Sequence, residues 1–193
     1  MTRILQSAQG FAEQAADEPG RFDQISIALH WITVLLILVQ FTSAWLHEAV
    51  DENGSLAAAI LATHRASGLL TWIVVSVRLV WRHGFAHLPP FPQNMPKLQQ
   101  SITTANEYSL YVLLVAQPIT GLGRVLFHGE PFALLIWQFP ALLAPNPEIR
   151  NFFVEAHEFG ANALLVLIGL HAGAALFHRL VLRDGVLQRM LPW

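Results

Sequence analysis

The stretch from Gln24 to Leu46, QISIALHWITVLLILVQFTSAWL, carries no Asp, Glu, Lys or Arg. About 20 mostly apolar residues suffice to cross the hydrocarbon core of a bilayer as a helix. Inside lipid every backbone N–H and C=O must find its partner within the protein, which leaves helices or closed barrels as the only spanning structures. This one segment therefore directs the reading of the whole chain. Charged residues make up only 12% of the 193 positions, against about 25% in an ordinary soluble domain.

Three further segments have the same character. The second, THRASGLLTWIVVSVRLVW, is bounded inside by Arg65 and Arg78. Its helix is expected to begin earlier, because Ser55–Thr63 (SLAAAILAT) are good helix formers and Ser55 follows Asn53-Gly54 as an N-cap. The third runs from Tyr108 to Phe127 and contains Pro118, a kink that a membrane helix tolerates. The fourth runs from about Phe152 to His178. The fold class expected is all-α: an integral membrane four-helix bundle with spans near 24–46, 55–82, 107–127 and 152–178.

Residues 1–22 are polar and lack the apolar core of a signal peptide, so they read as a disordered extension ahead of a single 23–193 unit. Residues 83–106 hold Pro89, Pro90, Pro92 and Pro96 and read as a stiff extended loop. Within 128–151, PFALLIWQFPALL is too short and too broken by proline to span, and is placed at the membrane interface. No internal repeat is evident. The absence of cysteine excludes disulfides, thiolate metal sites and covalent C-x-x-C-H haem attachment. A net charge of -2 gives no sign of nucleic-acid binding.

Lys and Arg counts near the span ends set orientation. One side carries Arg3, Arg21, Arg78, Arg82, Lys97, Arg179, Arg183 and Arg189; the other carries Arg65, Arg124 and Arg150. Both termini are thereby assigned to the cytoplasm.

Within the fourth span, EAHEFGANALLVLIGLHAGAALFH, His157 and His171 stand fourteen positions apart. Fourteen residues make four helical turns less about 40° and rise about 21 Å, so the two share a face at two depths. That separation is too large for one metal ion and suits two sites stacked across the bilayer. Span directions then match His30 with His171 near the cytoplasmic side, and His64 with His157 near the periplasmic side. Two facing neutral imidazoles suit a six-coordinate haem iron. Gly68 follows His64, Gly160 and Ala161 follow His157, and Gly169, Ala172, Gly173 and Ala175 surround His171. Such small residues let a macrocycle approach the backbone. Haem propionates want cations. Arg78 lies fourteen positions after His64 on the same face, at cytoplasmic depth, and Arg65 is beside the periplasmic pair. An intramembrane arginine marks a candidate site with a partner.

Each residue also has a plainer reading. A histidine near a helix end is often interfacial, and His178, next to Arg179, reads as a headgroup contact. His47, His83, His87 and His128 read as solvated. Arg78 can snorkel to headgroups, and Arg65 and Arg124 can serve as topology anchors. The small residues can serve helix packing. Trp31, Trp72, Trp81 and Trp137, with Tyr108 and Tyr111, fit an interfacial belt.

Taken together, ALHWI in the first span, THRASG and VVSVRLVWR in the second, PITG in the third, AHEFGAN and GLHAGAALFHR in the fourth, and the tail RDGVLQRMLP resemble the bacterial cytochrome b561 family of four-helix membrane dihaem proteins. The resemblance runs from about Arg21 to the C-terminus. It implies two non-covalent haem b groups with His30, His64, His157 and His171 as axial ligands, and electron exchange with the quinone pool. One branch of that family oxidises superoxide at the periplasmic side and reduces ubiquinone. Glu107 stands where members often carry a histidine at the start of the third helix, and the first periplasmic loop holds Glu48, Asp51 and Glu52, which repel an anion.

The function expected is a membrane dihaem cytochrome transferring electrons between a periplasmic donor, superoxide among the candidates, and quinone. The alternatives are a haem-bearing anchor relaying electrons to a protein partner and, from another class, a non-redox transporter or metal-binding subunit.

Overall fold

The computed structural model describes residues 20–51, 54–134 and 137–192. Most of the expected N-terminal extension lies outside these. Among the described residues four helices are long and apolar enough to cross a membrane: α1 Gln24–Ala49, α2 Ser55–Gly84, α3 Lys97–Leu126 and α4 Pro147–Phe177. A π-helical turn, His178–Leu182, prolongs α4, and a short 3-10 turn, Leu187–Met190, follows. The chain is thus an all-α membrane bundle. Helices α1 and α2 pack as one hairpin, α3 and α4 as another, and the hairpins meet through α2 and α3. The buried core at that seam is small: Val75, Tyr111, Leu114 and Leu164. Large apolar side chains such as Leu35, Val80, Val112, Phe159 and Leu180 point outward instead. That pattern is adapted to lipid, where the solvent itself is apolar.

Asp23 starts α1. Its carboxylate accepts from the Ser26 amide at 2.9 Å and the Ser26 hydroxyl at 2.7 Å, and from the Trp81 indole on α2 at 3.0 Å. Burial opposes ionisation of Asp23, but these hydrogen bonds outweigh it and hold the carboxyl below its ordinary range. The resulting stabilisation is present above the unfolded value of about 3.9 and is lost as pH falls through the lowered folded value. Asp23→Ala is expected to cost about 1 kcal/mol at neutral pH. In acid the variant and the parent should melt alike by circular dichroism.

Both ends of the described chain meet at one end of the bundle. The Phe22 amide donates to the Arg189 carbonyl at 3.2 Å, Arg21 to the Leu191 carbonyl at 2.6 Å, and the Trp31 indole to the Met190 carbonyl at 2.8 Å. Trp31 and Trp81 are therefore tied into the protein by their ring N–H groups, not spread in a lipid belt.

Two segments differ from the sequence reading. Helix α3 begins at Lys97, directly after Pro96, so half of the supposed extended loop is helical. Proline at the N-cap leaves no amide unsatisfied and presets the entry. Lys97–Asn106 is polar, and hydropathy reports only where a helix is in lipid. At the opposite end, Phe132–Leu134 and Trp137–Phe139 pair as a short antiparallel ladder, with Phe132 stacked on Phe139 at 5.4 Å. Alternating apolar and aromatic residues between Pro131 and Pro140 suit a hairpin better than a helix.

Candidate functional site

Helix α1 enters from the end carrying the termini and α4 returns to it. His30 on α1 and His171 on α4 face each other there, with ring centroids 6.1 Å apart and planes at 57°. Toward the hairpin end, His64 on α2 faces His157 on α4 at 6.3 Å and 78°. Two metal–imidazole bonds of about 2.0–2.1 Å plus two ring radii of about 1.1 Å separate centroids by about 6.2 Å. Both pairs have the separation of imidazoles sharing one central metal. Among the described residues no three His, Cys, Asp or Glu side chains converge to hold a metal ion. Each pair offers two nitrogens, so an iron here would take its other four donors from a macrocycle, as in haem.

The glycines divide into two kinds. Either side of His171, a Cβ added at Gly169 or Gly173 would meet nothing within 4 Å, and both glycines lie about 200° round the helix from the histidine, on an exposed face. Near the other pair the space is taken by protein. A Cβ at Gly121 would lie 3.2 Å from the His157 ring, one at Gly68 3.5 Å from the Gln40 amide, and one at Gly160 2.4 Å from the Gln117 amide. Gly160 thus makes room for the Gln117 side chain, whereas the Gln40 amide stands at ordinary contact distance from where a Gly68 Cβ would be.

Those glutamines reveal contacts that sequence reasoning missed. Gln40 donates through Nε2 to the His64 carbonyl at 2.8 Å, while its own carbonyl lies 3.2 Å from His64 Nδ1. The Ser43 hydroxyl lies 3.0 Å from that carbonyl and 3.1 Å from His64 Nδ1. On the other hairpin, Gln117 Nε2 donates to the His157 carbonyl at 3.1 Å, and the Gln117 carbonyl lies 3.1 Å from His157 Nδ1. The Thr120 hydroxyl lies 2.9 Å from that carbonyl and 3.0 Å from His157 Nδ1. The signal was present as Q-F-T-S at 40–43 and Q-P-I-T at 117–120.

Charge is distributed unequally. Near the termini, Arg78 places Nη2 3.2 Å from His30 Nδ1 and its guanidinium carbon 5.3 Å from the Tyr111 ring centre. It points into the bundle, not out to headgroups. Arg82 forms a two-point ion pair with Glu107, at 2.8 and 2.9 Å. Glu107 therefore answers a partly buried cation, a partnership between α2 and α3 that the sequence alone did not expose. At the hairpin end, Arg65, Arg124 and Arg150 line a cavity of about 310 Å³ with Phe132 and His128. Arg65 approaches the Ala133 carbonyl at 3.5 Å. The lining also includes the Glu130 carboxylate, so three guanidinium groups face one carboxylate there, while the Nε atoms of Arg65 and Arg150 are buried without a hydrogen-bond partner among the described residues.

His178 is not a headgroup contact. It is buried, with Nδ1 2.5 Å from Asp184 Oδ2 and Nε2 2.9 Å from the Gln99 amide. The π-helical turn carries Asp184 back toward its ring, and the polar start of α3, read from sequence as loop, supplies Gln99. His83, His87 and His128 are exposed, and His128 pairs with Glu130 at 3.2 Å.

Comparison with known proteins gives a consistent result. Residues 21–193 match the family model described as prokaryotic cytochrome b561. The chain is 30% identical over 172 residues to cytochrome b561 homolog 1 of Escherichia coli (strain K12), covering 89% of this chain and 97% of the relative. It is 26% identical over 177 residues to the probable superoxide oxidase CybB of Yersinia pestis, covering 89% and 96%. Cytochrome b562 of Cereibacter sphaeroides is 26% identical over 178 residues, covering 90% and 96%.

Proposed function

The chain belongs to the prokaryotic cytochrome b561 family, and from that premise we propose that it is a dihaem cytochrome passing electrons from a periplasmic donor to the quinone pool. The chain is a multi-pass bacterial membrane protein and a b-type cytochrome of electron transfer. In the finer reading His30 and His171 hold one haem b, and His64 and His157 hold the second. What supports it above all is that both imidazole pairs, at 6.1 and 6.3 Å, have the spacing of a bis-histidine metal. When bound, each haem supplies a one-electron carrier whose potential the protein adjusts.

The chain's own residues bind, orient and steer. Arg78 supplies a cation beside His30 for a haem propionate, and Arg65 one beside His64. The inner-membrane orientation, with both termini cytoplasmic, follows the excess of Lys and Arg at that end. A quinone would reach the protein laterally from the bilayer. Purified protein should yield two haem b per chain by pyridine haemochromogen assay, with a Soret band in the reduced-minus-oxidised spectrum. A colourless preparation would refute the proposal and return the chain to the non-redox alternatives.

The donor we favour is superoxide, the substrate implied by the printed name of the Yersinia pestis relative. The supporting feature is the cavity lined by Arg65, Arg124 and Arg150. Its three guanidinium groups outnumber the one carboxylate in the lining, Glu130, and attract a small anion. Superoxide should reduce the protein without a protein partner, and raising ionic strength should slow it. Arg124→Glu combined with Arg150→Glu should slow it about tenfold or more at low salt. Haem that stays oxidised until a soluble protein is added would favour the electron-relaying anchor instead.

A further inference from the structure

The two hairpins present the same device to their histidines. In each, a glutamine on one helix meets the histidine of its neighbour at two points, its side-chain Nε2 donating to the histidine main-chain carbonyl and its main-chain carbonyl facing Nδ1. In each, a hydroxyl three positions further on reaches both that carbonyl and Nδ1. A carbonyl oxygen can only accept. Nδ1 must therefore carry the proton, and the hydroxyl, which gives its own hydrogen to the carbonyl, is left to accept from Nδ1–H. His64 and His157 are thereby held in one tautomer, with the Nε2 lone pair free on the side where the rings face each other.

The other pair has no such arrangement. His30 Nδ1 faces Arg78, which can only donate and so offers no acceptor for an Nδ1–H; to bind iron through Nε2, His30 would give up that hydrogen bond and keep the guanidinium only as a neighbouring cation. Among the described residues no carbonyl accepts from His30 or His171 Nδ1. A histidine that donates its second N–H to a carbonyl is a more basic metal ligand. A more basic ligand favours the oxidised metal, and a neighbouring cation favours the reduced one.

We propose that Gln40–Ser43 and Gln117–Thr120 are matched positioning clamps that make the His64–His157 pair the stronger donor, so that the periplasmic site has the lower reduction potential of the two. The inference rests on the dihaem reading. It gives that reading a direction, downhill from the donor cavity toward the end carrying the termini.

The test is potentiometry on the detergent-purified holoprotein, with low-spin electron paramagnetic resonance to follow each site. In the wild type, two components of unequal potential are expected. His157→Ala should remove the lower one and leave the higher. Ser43→Ala with Thr120→Val should raise the lower component alone, whereas Ser43→Thr with Thr120→Ser keeps both hydroxyls and should leave it in place. Arg78→Gln should lower the higher component alone. Two haems of which His157→Ala removes the higher-potential component would overturn the inference and leave the dihaem reading intact. So would a Ser43→Ala, Thr120→Val protein whose components both stay or both move together. A wild type without two low-spin haems would overturn both. If the double variant does not fold, the His157→Ala and Arg78→Gln measurements still decide the order.

Discussion

Replacing His157 and His171 together with alanine is expected to remove both haems, although the two positions lie four turns apart. Helix α4 contributes one imidazole to each pair, and its partners His30 and His64 come from different helices. Loss of one axial nitrogen would leave each site a single protein bond to the iron, and among the described residues no third metal-binding side chain stands near to replace it. Each single variant should lose one haem, His157→Ala the one near the hairpin end and His171→Ala the one near the termini. Helical content should persist in all three, because the Val75, Tyr111, Leu114 and Leu164 core involves neither histidine. Exposed His83 and His128 serve as controls whose replacement should leave the spectrum unchanged. Full haem content in the double variant would end the proposed ligand assignment.

What could be read from the sequence follows from how rigid its geometry is. The interval from His157 to His171 constrains depth and face because helical rise and twist hardly vary. The direction of each span then matches His30 to one and His64 to the other. Features made by two segments distant in sequence were not legible. The Arg82–Glu107 ion pair and the His178–Asp184–Gln99 cluster require knowing that α3 starts at Lys97, and a polar helix outside lipid leaves no hydropathy signal. The glutamine clamps were hidden for a similar reason. Q-x-x-S/T is short enough to recur by chance, and it acquires meaning only when each copy is found beside a histidine of the adjacent helix. Gly160 shows the same limit: a missing Cβ says that something comes close without saying what, and here the Gln117 amide does.

Gly123 is where a single methyl group should have the largest effect on the fold itself. An added Cβ would lie 2.5–2.7 Å from three atoms of the Phe153 ring. That ring is stacked on Phe127 at 5.8 Å and meets Phe152 edge-on at 5.5 Å, so retreat would break both ring contacts. Glycine to alanine within a helix ordinarily gains roughly 0.5–1 kcal/mol; overpacking of this kind costs about 1–3 kcal/mol. Gly123→Ala should therefore lower the melting temperature, and Gly123→Leu more so. Gly84→Ala, where a Cβ meets nothing, should be neutral or slightly stabilising. The damage should also be local in its chemistry. Gly123 lies one turn beyond Thr120, and Phe153 one turn before His157. Prising α3 from α4 there lengthens the Thr120–His157 and Gln117–His157 contacts before it reaches His171. Gly123→Leu should then lose the haem of the His64–His157 pair ahead of the other. Simultaneous loss of both would mean that α4 moves as a rigid rod, and that the two sites are not held independently.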